Sequence, residues 1–133
     1  PTMAAGLSPD LSEARRHCES VWPDEGVCAF VKRAEGWCFV PLANVSEAPR
    51  TSFVIDALEW MALEREALDL EVWLIHSHVD GPATLSAWDV STFTVDGRPL
   101  LPWLHLAVLS VRDGRSVDEG RWGFAEGSWR SAL

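Results

Sequence analysis

Apolar residues Leu11, Ala14, Cys18 and Val21 recur at helical spacing, and Ser8 ahead of Pro9 reads as a cap, so a helix is predicted over Pro9–Trp22. Pro23-Asp24 breaks it. Gly26–Lys32 and Trp37–Pro41 are short apolar runs flanking Ala34-Glu35-Gly36, the pattern of a hairpin. Ala43–Arg50, with Asn44, Ser46 and Pro49, reads as a loop, and Ser52–Ile55 as a short strand. Asp56–Leu68 is the clearest helix: Asp56 caps, Glu59 follows three residues on, and strong helix formers fill it. Val72-Trp73-Leu74-Ile75 is apolar at every position, so the strand Glu71–His78 is predicted to be central and buried on both faces. A Gly81-Pro82 loop follows. Then come a short helix from Ser86 to about Thr94, a turn at Asp96-Gly97 and a buried strand over Leu104–Val111. Asp113-Gly114 turns into a last strand at Trp122–Ala125. This order predicts an α/β fold, a mixed sheet flanked by helices.

Composition narrows the chemistry. A chain of 133 residues suits one domain over 1–133, with 1–7 expected to be flexible or vector-derived and Met3 expected to be the natural start after a leftover Pro1-Thr2. The net charge of −9 argues against a nucleic-acid partner, because phosphate binding needs clustered Lys and Arg; it suits a partner or peptide tail carrying positive charge. Arg15-Arg16 and Lys32-Arg33 are only isolated pairs. No apolar run reaches the roughly 18–20 residues of a membrane span, and no secretory leader is visible. Cys18, Cys28 and Cys38 are odd in number and lack a C-x-x-C spacing, so buried free thiols in a cytoplasmic protein are expected rather than disulfides or a cysteine zinc site. Eight tryptophans without a tyrosine are expected mainly in the core and its rim, with Trp88 and Trp103 as alternatives that line a partner groove. His17 and His105 lack carboxylates at ligand spacing, and the acidic residues Glu59, Glu64, Glu66 and Asp69 read as a solvated helix face.

One segment concentrates chemistry. Residues two apart on a strand share a face, so His76 and His78 project together from the end of the predicted central strand. The Gly-Pro loop lets the chain reverse and brings Asp89, on the first turn of the next helix, toward the same point. Two imidazoles and a carboxylate are a common catalytic zinc set with one tetrahedral position left open. Ser86-x-x-Asp89 on its own would be a helix capping box; the histidine pair at this distance makes it more.

His-x-His, seven residues, Ser, two residues, Asp is the motif of the JAMM metalloproteases, the MPN+ or JAB-domain family, and the chain resembles a small bacterial, free-standing member from about Leu11 to Phe124. The resemblance implies a partly curved mixed sheet of cytidine-deaminase-like architecture. It implies one Zn²⁺ per chain on His76, His78 and Asp89, and Ser86 as the hydroxyl that stabilises the oxyanion. Glu25 matches the family's upstream glutamate, which takes a proton from the attacking water and passes it to the leaving amine; Asp24 is its rival by proximity. Two positions depart from the family pattern. Val79 stands where the family often has proline, and Gly26-Val27-Cys28 replaces its usual pair after the glutamate. The implied activity is zinc-dependent hydrolysis of a peptide or isopeptide bond at the C-terminus of a ubiquitin-like protein. The alternatives are a non-catalytic MPN-type binding module and a phage-tail-like cell-wall peptidase. Asp96–Trp103 is expected to form a groove wall, and Ser77, facing away from the histidines, is given no catalytic role.

Overall fold

The computed structural model describes residues 8–132. Helix α1 (Ser12–Ser20) leads into strands β1 (Val27–Arg33) and β2 (Gly36–Leu42) and helix α2 (Ala57–Glu66). Strand β3 (Val72–Val79), helix α3 (Ala87–Thr92) and the short strands β4 (Thr94–Val95) and β5 (Arg98–Pro99) follow. Strands β6 (Leu104–Arg112), β7 (Arg115–Ala125) and β8 (Ser128–Ser131) close the chain. Six strands form one curved sheet in the order β2-β1-β3-β6-β7-β8. Only β3 and β6 run parallel; every other neighbouring pair is antiparallel. The fold is thus the mixed α/β architecture expected.

Strand alternation divides the sheet into two packed faces. On one, Val27, Ala29, Leu74 and Leu106 meet Phe53, Leu63 and Phe93 from α2, α3 and the segments beside them. On the other, Cys28, Phe30, Ile75 and Leu109 meet Leu11, Ala14 and Cys18 of α1. Both faces of β3 are therefore dry, which is why its sequence is uniformly apolar. Polar contacts orient α1 on its face: Arg15 reaches Glu119 at 2.7 Å, and the Ser116 N–H donates to the Glu19 carboxylate at 2.8 Å.

Three hairpin turns, Asp96-Gly97, Asp113-Gly114 and Glu126-Gly127, hold both central residues at positive φ. That geometry matches the twist of paired strands and favours Asp-Gly. A different constraint acts at Gly120, where an added Cβ would lie 2.4 Å from the Ala83 carbonyl oxygen. The loop after β3 thus presses directly on β7.

The sequence misplaced three boundaries. Ser8 does not cap α1: Leu11 occupies the N-cap without a side-chain bond, and the Asp10 carboxylate takes the Ser12 N–H at 2.8 Å. Ser52–Ile55 is not a strand beyond one bridge, Asn44 to Ile55. The strand expected at Trp122–Ala125 begins at Arg115 and runs through polar residues, because pairing with β6 and not an apolar face holds its first half in place, and it is not the last, since β8 follows. Cys18 and Cys28 are buried thiols, whereas Cys38 is half-buried. The expectation for residues 1–7 lies outside the described residues. No described helix is long and apolar enough to cross a membrane.

Candidate metal centre

The parallel pair β3–β6 needs a crossover, and that crossover contains α3. Sites in such sheets form beyond the carboxyl ends of the strands. His76 and His78 stand there, on the face that α3 covers. His76 is fully buried between β1 and β6, opposite Val27 and Val108. Its ring lies 4.7 Å from Phe53 and 6.1 Å from Phe93, centre to centre.

Asp89 comes from the first turn of α3, and the start of that helix fixes it. The Ser86 hydroxyl accepts the Asp89 N–H at 3.0 Å, and the Ser86 N–H donates to Asp89 Oδ2 at 2.9 Å. Ser86 and Asp89 therefore do form a capping box. The cap and the site are one arrangement: the same Oδ2 lies 3.1 Å from His76 Nε2 and 3.2 Å from His78 Nε2. The two Nε2 atoms are 3.2 Å apart.

Three lone-pair atoms so close require either shared protons or a cation. His78 Nδ1 donates to the Pro82 carbonyl at 2.8 Å, which in the neutral ring leaves Nε2 as a bare acceptor facing Asp89. One proton cannot serve all three atoms. A tetrahedral ion with ligand bonds of about 2.0–2.2 Å spaces its donors by about 3.3–3.6 Å, close to the separations found. The donor set fits zinc chemically, and His76, His78 and Asp89 are the one such cluster among the described residues. His76 Nδ1 is buried without a hydrogen-bond partner, so ring packing and not a carboxylate orients that imidazole.

Electrostatics follows from the packing. Burial alone would raise the Asp89 carboxyl, but hydrogen bonds with His76 and His78 and the Ser86 N–H hold it far below the ordinary range. Burial keeps His76 below its usual value, hence neutral and ready to ligate. Burial would also lower His78, yet Asp89 and the Pro82 carbonyl outweigh it and raise that group. His78 therefore holds a proton to higher pH than an ordinary imidazole does, and a metal must displace that proton. Apparent metal affinity is expected to weaken by about tenfold per pH unit below the His78 pKa. Competition with a chromophoric chelator between pH 5 and 8 checks this, and a pH-independent affinity would contradict it.

Glu25 sits just ahead of β1 and borders the same cleft, of about 350 Å³, with Thr51, Ser52, Phe53, His78 and Ser86. It is 7 % exposed, and burial pushes its carboxyl up to about 7; nearby His78 opposes the shift and Asp89 adds to it. Asp24 borders a neighbouring hollow instead. Of the expected site residues, the fold therefore brings His78, Asp89, Ser86 and Glu25 around one cleft, with His76 buried behind His78 and Asp89. Trp88, 66 % exposed, borders it too. Trp103, also exposed, lies outside the cleft. His17 bonds the Val27 carbonyl, and His105 pairs with Glu71 while stacked on Trp73. Pro82, three residues later than the family's proline, serves through its carbonyl; a backbone acceptor of this kind leaves no signature in sequence. The reach of Asn44 and Ser77 toward Glu25 was likewise not legible.

A search of curated protein sequences returns no match. Among solved structures, the chain is similar to the solution structure of a protein from Salinibacter ruber, with a TM-score of 0.57 at 24% identity over 95% of this chain and 87% of that one. That likeness shows the fold. Residues 7–123 match the family described as prokaryotic homologs of the JAB domain. The chain belongs to this family, and its His76–His78–Asp89 cluster has the family's JAMM metal-binding geometry.

Proposed function

We propose that the protein is a zinc-dependent hydrolase, with one ion per chain, that cleaves a peptide or isopeptide bond at the C-terminus of a ubiquitin-like protein. The convergence of His76 Nε2, His78 Nε2 and Asp89 Oδ2 within 3.2 Å of one another carries this reading. When bound there, a dication supplies Lewis acidity, polarising a carbonyl and making water a better nucleophile near neutral pH.

The side chains do the rest. The Glu25 carboxylate, tuned near neutrality by burial, takes the proton of the attacking water and delivers it to the leaving nitrogen. The Ser86 oxygen is occupied by the Asp89 N–H, which leaves its own O–H free to donate to the developing oxyanion. Beside the cleft opens an apolar groove of about 300 Å³ lined by Phe53, Val54, Ile55, Trp60, Trp88 and Leu100. Phe53 and Trp88 belong to both hollows, so a tail lying in the groove enters the cleft directly. An extended tail with apolar side chains ahead of small residues suits this shape, since only small residues allow close backbone approach to the cluster. The net charge of −9 favours a tail or partner surface that carries cations.

The test is a ubiquitin-like domain ending in Gly-Gly and fused through that end to a reporter peptide. Zinc-loaded protein is expected to release the reporter after the second glycine, and chelation to stop it. Trp88→Ala is expected to raise KM about tenfold, with a smaller change in kcat. Zinc-loaded protein that binds the fusion without cutting it would replace this reading with that of a binding module. Digestion of peptidoglycan instead of the fusion would replace it with a cell-wall peptidase.

A further inference from the structure

Glu25 has no side-chain support of its own. Among the described residues none donates a hydrogen bond to its carboxylate, which lies buried near His78 and Asp89. It also lies outside the β-ladder, since pairing of β1 with β3 starts at Val27 opposite His76. Its place beside the cluster must therefore be set by its backbone, and two side chains far away in sequence hold that backbone.

Asn44 Nδ2 donates to the Glu25 carbonyl at 2.9 Å. The same amide donates to the Ser52 carbonyl at 3.0 Å, and its Oδ1 accepts the Ser46 and Val54 N–H groups at 3.0 and 3.1 Å. One side chain thus joins Glu25 to the segment that walls the cleft at Ser52 and Phe53. Ser77 works from the other side. Its hydroxyl accepts the Gly26 N–H at 2.8 Å, and its own N–H donates to the Gly26 carbonyl at 3.0 Å. Ser77 is fully buried, on the face of β3 opposite the two histidines. Helix α1 closes the third side, where an added Cβ on Gly26 would lie 3.0 Å from both Cys18 Sγ and Val21 Cγ2.

We propose that Asn44 and Ser77 are positioning residues that clamp the Glu25-Gly26 backbone, so that the strand carrying the histidine ligands also fixes the proton carrier. The inference rests on the reading of Glu25 given above. A misplacement of about 1 Å costs about a hundredfold in rate when a reacting group must be held in line. The Ser77 side chain meets Gly26 and the Cys18 thiol, on the side away from the cleft, whereas Asn44 also holds the cleft wall. Ser77→Ala should therefore lower kcat with KM unchanged, and Asn44→Ala should alter both.

The experiment is a double-mutant cycle on the zinc-loaded chain with the Gly-Gly reporter fusion, alongside zinc content and amide hydrogen exchange. Ser77→Ala is expected to keep one zinc per chain and lower kcat by about 10–100-fold. In a Glu25→Gln background it should lower the residual rate by less than about twofold, because the group it positions is already gone. Equal losses in both backgrounds, or no loss in the first, would overturn the proposal. If the Glu25→Gln rate falls below detection, exchange decides. The Gly26 amide, which loses its acceptor, should exchange faster in Ser77→Ala, while the Glu25 amide, bonded to the Pro49 carbonyl at 2.7 Å, and the remaining amides of β1 and β3 keep their protection. Unchanged exchange, or faster exchange across the whole sheet, would overturn it. A wild-type chain that holds zinc but cleaves no fusion refutes the functional reading instead, and exchange alone then tests the clamp.

Discussion

Asp89→Asn is expected to weaken zinc binding by at least about a hundredfold, the upper end of what losing a second-shell partner costs. Asp89 contributes the one formal charge of the cluster, and its Oδ2 is the atom that faces both histidines. With asparagine, two neutral imidazoles and a neutral amide remain, and the hard, anionic donor is gone. The amide oxygen still accepts the Ser86 N–H, so α3 keeps its start and the fold should persist. Asp89→Ala removes the cap as well, at a cost of about 1 kcal/mol, which makes the asparagine variant the cleaner one. Equilibrium dialysis against buffered zinc reads the affinity, and circular dichroism confirms the fold. Wild-type affinity in Asp89→Asn would remove the carboxylate from the ligand set.

Glu25→Gln is expected to separate metal binding from turnover. Glutamine fills nearly the same volume in a site that is 7 % exposed, so packing is kept. It cannot hold or release a proton at neutral pH. A positioned general acid–base contributes about 10²–10⁴-fold to rate, and a loss of kcat in that range is expected with zinc content unchanged. Release of the reporter fusion, measured beside elemental analysis of the same sample, decides the point. Full activity in this variant would transfer the proton role elsewhere; loss of zinc would place Glu25 among the ligands.

How much the sequence revealed depended on the range of the interaction. His76, His78 and Asp89 were legible because strand period, one loop and one helix start bring them together within fourteen consecutive residues, His76 to Asp89. The uniformly apolar run of β3 announced its central place. Glu25 was harder, lying just ahead of the β1–β3 ladder and held through Asn44 and Ser77 contacts to the Glu25-Gly26 backbone, none of which has a local pattern. Ser77 illustrates the limit. Its direction, away from the histidines, was predictable from the strand period; what it meets there depended on where β1 starts. β7 was read as too short because ladder pairing, not an apolar stripe, holds Arg115–Glu119. The Ser86–Asp89 capping box had looked like a competing explanation for the motif. The shared Oδ2 shows that helix start and metal geometry support each other.

The most direct test of the central claim is X-ray absorption at the zinc edge on zinc-loaded protein. One ion per chain is predicted, with two imidazole nitrogens and a carboxylate oxygen at about 2.0–2.2 Å and no sulfur. The absence of sulfur matters because the buried thiols Cys18 and Cys28 lie on the opposite face of the sheet from the histidines and are predicted to take no part. A sulfur shell at about 2.3 Å, or protein that takes up no zinc, would contradict the account.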